Sequence, residues 1–309
     1  MLVKPARSAT GTGAFPSSHP IISVVTPSYN QADFLEETIL SVLSQSYPNI
    51  EYIVMDGGST DGSIEIIKRY SDRLDYWCSQ PDNGQAEAIR RGFERATGDI
   101  LCWLNSDDIF VPGALENVAR FFEKHPSAEV LSAGAVIIDQ AGEVFSVGKC
   151  VYSMGTRASL RRFLYFGQAG VPQCSTFWRR TAYREVDGID PSFDFAMDLD
   201  LFTRLARRRT FSALRKIVAC YRIHPAAKSS TIKHVHNAEL SRLQDHYNVS
   251  DRWSRPIWRL WYSFTFRLHR LFLIFLWKVR KFVGRPLFEP LVYRAMPATG
   301  KSVPSSTSA

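Results

Sequence analysis

The chain has 309 residues, 45% hydrophobic and 22% charged, a composition that supplies a large core and excludes a disordered or fibrous class. The formal net charge is +8, yet residues 251–309 hold 11 basic and 2 acidic side chains, so the first 250 residues are close to neutral. A near-neutral body with a basic tail argues against a protein that wraps nucleic acid over its whole surface.

Residues 1–20 contain Pro, Ser, Gly and Thr without an apolar run and read as a disordered leader, not a signal peptide. From residue 21, strand and helix patterns alternate. Ile21–Thr26 is a short β-branched run that stops at Pro27 and predicts a buried strand. Residues 33–46 carry apolar side chains at helical spacing. Ile50–Met55 predicts the second strand, closed by Asp56-Gly57-Gly58-Ser59-Thr60-Asp61-Gly62, a run of turn formers and helix caps. Ile64, Ile67 and Tyr70 continue as a helix. A third strand, Leu74–Cys78, leads through Pro81-Asp82-Asn83-Gly84 into a helix over 85–96. A fourth, Ile100–Leu104, ends in Asn105-Ser106-Asp107-Asp108, and Pro112 sits where the first turn of a helix tolerates it. This alternation predicts an α/β fold with a parallel sheet and right-handed crossovers. In such sheets ligands bind outside the carboxyl ends of the strands, which here carry polar groups four times in succession.

Beyond residue 130 the pattern changes. Val130–Ile138 and Glu143–Val147 flank a turn and predict a hairpin. Residues 157–166 read as helix, 167–200 as loop, a helix starts near Asp198, and Phe211–Arg222 reads as a strand. Residues 233–296 form a helical extension and 297–309 a disordered tail. Within the extension, Ile257, Trp261, Phe264, Leu268, Leu271, Phe275, Val279 and Phe282 recur at steps of three or four, with Arg259, Arg267, Arg270, Lys278 and Lys281 on a separate arc. An apolar, aromatic face opposite a cationic one suits a helix lying on an anionic membrane, and 257–283 is the candidate; a helix packed on the body is the plain alternative. No stretch has the apolar length of a membrane span. The five cysteines form no CxxC pair and fit a reducing, cytoplasmic compartment, and no nucleic-acid motif accompanies the basic tail.

The adjacent carboxylates Asp107 and Asp108 at a strand end repel each other unless a cation sits between them, and oxygen ligands suit Mg2+ or Mn2+. Capping of the next helix is the competing use. The Asp56–Asp61 loop invites a phosphate-loop reading, but the chain has neither GxxxxGK[ST] nor GxGxxG between strand and helix.

The stretch 21–125 resembles the nucleotide-sugar domain of family 2 glycosyltransferases, which have the GT-A fold. The resemblance rests on Thr26-Pro27-Ser28-Tyr29-Asn30, Ser41–Pro48, Asp56-Gly57-Gly58-Ser59-Thr60-Asp61, Pro81-Asp82-Asn83-Gly84-Gln85 and Asn105-Ser106-Asp107-Asp108, in that order. It implies a nucleotide-sugar site built from Pro27, Tyr29, Asn30, Asp56, Asp82, Gln85, Asn105 and Asp107, with a divalent metal on Asp107, Asp108 and His224. Asn105 stands where many members have the first Asp of the metal motif. Which of Asp107 and Asp108 is the inner ligand stays open.

Residues 168–231 resemble the family more weakly. Gln173–Arg180 is similar to its acceptor-side segment and Phe195–Leu201 to the segment that carries the catalytic base, which places the base at Asp198 and leaves Asp200 to hold the local loop. The resemblance thus divides the body into a donor half (21–130) and an acceptor half (131–232). It implies an inverting transfer from a nucleotide-sugar, UDP-linked, to a carbohydrate or lipid-linked hydroxyl, at the cytoplasmic face of a membrane in cell-envelope synthesis. A metal-dependent nucleotidyltransferase would want a Gly-rich loop where Pro27-Ser28-Tyr29-Asn30 stands. An inactive nucleotide-sugar-binding module would lack the acidic residues that are all present here.

Overall fold

A computed structural model of the chain describes residues 2–4, 19–146 and 171–247. The expected helix over 157–166, residues 5–18 of the leader expected over 1–20 and the amphipathic segment over 257–283 lie outside the described residues, while residues 2–4 of that leader form a strand and are not disordered, because they pair with residues 77–79.

Ten strands form one mixed sheet. They are β1 (Leu2–Lys4), β2 (Ile22–Ser28), β3 (Ile50–Asp56), β4 (Tyr76–Ser79), β5 (Ile100–Trp103), β6 (Ile109–Phe110), β7 (Val130–Ile138), β8 (Val144–Ser146), β9 (Thr176–Arg179) and β10 (Phe211–Arg222). Their order is β1-β4-β3-β2-β5-β9-β7-β10-β6, with β8 paired to β7. The helices are α1 (Ala32–Leu43), α2 (Ser63–Arg69), α3 (Gln85–Arg95), α4 (Ala114–Lys124), α5 (Arg180–Arg184), α6 (Met197–Arg208), α7 (Lys228–Thr231) and α8 (Lys233–His246).

Strands β2 to β5 are mutually parallel where they pair, as the alternation predicts. Side chains alternate across the sheet because the strand period is two. Ile22 and Val24 of β2 join Leu35, Ile39 and Val42 of α1 and Val118 and Phe122 of α4 in one core. Val25 faces the other way, onto Ile89 and Phe93 of α3 and Phe202 and Leu205 of α6. The chain leaves β2 toward β3 on one side and leaves β5 toward β6 and β10 on the other. The carboxyl ends of β2 and β5 are therefore the point where a crevice opens.

Three local readings change. Strand β2 runs through Pro27 to Ser28. Val25 accepts a hydrogen bond from Leu104 on its β5 side, so Pro27, two residues on, turns its missing N–H toward a strand whose pairing has ended at Trp103. Pro112 precedes the helix rather than opening it, because Gly113 in a left-handed conformation (φ 71°) is the cap and α4 starts at Ala114. The stretch read as loop over 167–200 contains β9 and α5. Four residues are too few to show a period, and β9 exists because β5 and β7 flank it on both edges.

Candidate active site

The β3 end is organised by Asp56. Its buried carboxylate accepts the N–H of Gly58 and Ser59 at 3.0 Å, the Ser59 hydroxyl at 2.5 Å and the Ser79 hydroxyl at 2.6 Å. Those bonds fold Gly57-Gly58-Ser59 back across the strand end. A Cβ on Gly57 would lie 3.0 Å from an Asp82 carboxylate oxygen, so the two loops touch only because Gly57 has no side chain. Asn30, with φ 50°, ties β2 to the same loop: its N–H donates to the Ser59 hydroxyl and its side-chain oxygen accepts from Thr60 N–H. Pro27 is buried beside Met55, and Tyr29 projects 64% exposed above it. Asp82 accepts the Gly84 N–H, and burial lifts its carboxyl above the ordinary range against that bond.

The β5 end is held from across the sheet. Strand β6 pairs antiparallel with β10, Cys220 opposite Ile109, and the same register carried two residues further sets Arg222 against Asp107. The Arg222 N–H donates to the Asp108 carboxylate at 2.9 Å, and its guanidinium donates to the carbonyls of Asp107, Asp139 and Gln140 and to Glu37. Asp108 is fully buried, and its second oxygen accepts from the Asn105 amide at 3.2 Å. Burial and then the neighbouring Asp107 hold its carboxyl well above the usual range. Asp107 points the other way: 18% exposed, it meets His224 Nε2 at 3.1 Å. The His224 ring packs on Phe34 with centroids 4.5 Å apart. So the structure joins Asp107 to His224 and turns Asp108 inward, away from that pair. Among the described residues no group of three His, Cys, Asp or Glu side chains converges on one point.

The Asn105 side chain sits at the hub. It accepts from Gln85 at 2.8 Å and donates to Gln173 as well as to Asp108. An amide can give and accept at once; an Asp at this position would give nothing. Asp198 is the second residue of α6. It accepts the following Leu199 N–H at 2.7 Å, and burial raises its carboxyl while that N–H and the charge of His236 pull it down. Asp200 is buried on Arg204 at 2.5 Å, the structural use expected of it.

Residues 23–187 match the family model described as glycosyl transferase family 2. An uncharacterized glycosyltransferase of Mycobacterium tuberculosis is 33% identical over 195 residues, covering 62% of this chain and 70% of that protein. The chain belongs to glycosyl transferase family 2. A Bacillus subtilis protein provisionally named as a teichuronic acid biosynthesis glycosyltransferase is 38% identical over 112 residues, 35% of this chain and 44% of its own length. Among solved structures, S. aureus TarS in complex with UDP-GlcNAc aligns with a TM-score of 0.56 at 19% identity, over 68% of this chain and 61% of that one. The mannosyltransferase PcManGT of Pyrobaculum calidifontis, in complex with GDP-Man and Mn2+, aligns with a TM-score of 0.53 at 17% identity, over 74% of this chain and 66% of its own. The fold is GT-A.

The candidate site of this transferase also includes residues that sequence reasoning passed over. Lys228 of α7 donates to Gln85 at 3.3 Å; burial lowers its amine's pKa, against the charges of Asp194, Glu239 and Asp82. A Cβ on Gly84 would lie 3.7 Å from an Asp194 carboxylate oxygen, so the Asp82 loop and the loop before Asp198 lie side by side here. Glu239 of α8 accepts three backbone N–H groups of that second loop. Neither residue lies in a motif, and nothing in the sequence marks a lone Lys after Pro225 or one acid on a helix with little amphipathic pattern. Thr38 of α1 is a further case: its hydroxyl lies 2.9 Å from the Ser106 carbonyl and 2.7 Å from that of Asp108, bracing the turn that presents Asp107.

Proposed function

We propose that this glycosyltransferase moves a sugar from a nucleoside diphosphate, UDP before GDP, to an acceptor hydroxyl with inversion at the anomeric carbon, in the assembly of a cell-envelope polysaccharide or glycolipid. The observation that carries the reading is the polar edge at the strand ends, where the Asp107–His224 pair stands beside the hydrogen-bonded run Asp108, Asn105, Gln85 and Lys228. The UDP-GlcNAc of TarS and the GDP-Man of PcManGT support the donor class.

Tyr29 offers an exposed ring to the base, and Pro27 and Asn30 set its height above the strand ends. Asp56 acts through the loop it folds, since its oxygens already take four protein hydrogen bonds. Asp82, Gln85 and Asn105 line the ribose and sugar side. Asp107 and His224 fit a divalent ion: one carboxylate oxygen and one imidazole nitrogen suit Mn2+, or Mg2+ less closely, with the other positions left for water and phosphate. Asp108 stays behind them as the residue that orients the turn. When bound, the ion supplies positive charge to the departing diphosphate.

Asp198 takes the proton of the acceptor hydroxyl as that oxygen bonds to the anomeric carbon. The bond to the phosphate oxygen breaks and its electron pair leaves with the nucleotide. A carboxylate partly withdrawn from water is a better base than a solvated one, which is the direction in which Asp198 is shifted. The acceptor is a carbohydrate or lipid-linked hydroxyl, and 257–283 holds the enzyme on an anionic membrane surface beside it. Among the described residues no helix is long and apolar enough to cross a membrane. The test is Asp198→Asn, assayed for nucleotide release from a panel of UDP-sugars and GDP-Man with Mn2+. Turnover should fall to background with UDP binding kept; turnover at the wild-type rate would overturn the assignment.

A further inference from the structure

Helix α8 lies beyond the residues that the family model matches. Leu243 is buried in the core that holds Leu199, Leu201 and Phe202 of α6, and Leu240 and Tyr247 pack against the same core. Positions 240, 243 and 247 share one helix face, so the helix is fixed in rotation by burial and not by its own weak pattern. Glu239, next to that face, is thereby aimed at the loop before α6. One of its oxygens accepts the Asp194 N–H at 2.6 Å; the other accepts those of Phe195 at 2.9 Å and Ala196 at 2.7 Å. Ala196 caps α6 without a side-chain bond of its own. Three converging N–H groups at a helix start want a carboxylate, and here it comes from another helix. One turn earlier on α8, the His236 ring meets Phe195 with centroids 4.8 Å apart.

We propose that Glu239 is the positioning residue of the catalytic base: by gathering these three N–H groups it sets the register of α6 and so the place of Asp198, two residues past the cap. The inference rests on Asp198 being the base. Lys228 joins this clamp to the donor side. Its amine donates to Gln85, and a Cβ on Gly84 would lie 3.7 Å from an Asp194 carboxylate oxygen, so the base loop packs against the loop that carries Asp82. A displacement of about 1 Å at a reacting group costs on the order of 100-fold in rate, which sets the scale for losing the clamp.

The test compares Glu239→Ala, Glu239→Gln and Asp198→Asn in the full chain. Three quantities are read: amide hydrogen exchange over 190–200, binding of UDP with Mn2+, and nucleotide release from UDP-GlcNAc and GDP-Man. Glu239→Ala should speed exchange at the amides of Asp194, Phe195 and Ala196, lower turnover ~100-fold, and leave UDP binding within about twofold. Glu239→Gln keeps one acceptor oxygen and should fall between Ala and wild type, a graded response that misfolding does not produce. Unchanged exchange at these amides, or wild-type turnover in Glu239→Ala, overturns the clamp. Wild-type turnover in Asp198→Asn overturns the base reading instead, so the two failures are distinct.

Discussion

Replacing Arg222 with lysine keeps the charge and removes the fork, and the structure says which loss matters. The guanidinium, 1% exposed, makes four hydrogen bonds: to the Asp107 carbonyl at 2.9 Å, to the Asp139 and Gln140 carbonyls at 3.3 and 3.2 Å, and to Glu37 at 2.6 Å. A lysine ammonium can follow one of these directions. The ion pair is the lesser part, because Glu37 is 40% exposed and water replaces its partner; such pairs contribute about 0–1 kcal/mol. The hairpin carbonyls of Asp139 and Gln140 lie near the surface and can also take water. The Asp107 carbonyl takes the shortest of the three carbonyl bonds from a guanidinium that is 1% exposed, and a buried acceptor left without a donor costs about 1–3 kcal/mol. Together these give a loss of about 1–4 kcal/mol for Arg222→Lys and at most about 1 kcal/mol for Glu37→Gln. At about 2–4 °C per kcal/mol for a domain of this size, Arg222→Lys should lower the thermal midpoint on the order of 10 °C. Calorimetry on the two variants decides it. Equal midpoint shifts for both would falsify the claim that the buried carbonyl, not the ion pair, is what Arg222 serves.

The buried Asp108 makes stability depend on pH. Its folded pKa is raised, so the protonated form stabilises the fold below the ordinary carboxylate value of about 4, and this contribution is lost as pH rises through the folded value. In EDTA, wild type should therefore lose stability relative to Asp108→Asn from about pH 4 upward; parallel melting curves for the two proteins would refute this. His224→Ala should weaken Mn2+ binding in the presence of UDP at least about tenfold, since even outer-shell partners of a metal contribute that much, and free Mn2+ measured by electron paramagnetic resonance reports it. The full chain should pellet with anionic liposomes and a 1–250 chain should not, with salt weakening the binding; equal pelleting rejects a membrane role for 257–283.

The parallel half of the sheet was legible because its information is local. The runs 21–26, 50–55 and 100–104 are bounded by Pro, Gly and Asp, and each lies within a residue or two of a strand. The polar strand ends were legible for the same reason, and with them Asp56, Asp82 and Asp107. Strand β9 was not, since its pairing partners are more than 40 residues away on both sides. Nor could the sequence separate two adjacent carboxylates. Asp107 and Asp108 are alike as residues, and the β6–β10 register alone sends one to His224 and the other beneath Arg222. Asp198 could be picked out by its place in a segment; that its loop hangs from Glu239 could not, because the hydrogen bonds span more than 40 residues and follow no pattern. By itself, then, the sequence determined the α/β class, the strand edge that carries the polar residues and the identity of those residues, all set by spacing along the chain. The tertiary structure decided which carboxylate faces the imidazole, which is buried, and which helix holds the loop before Asp198, because those depend on strand register and on packing between segments far apart in sequence.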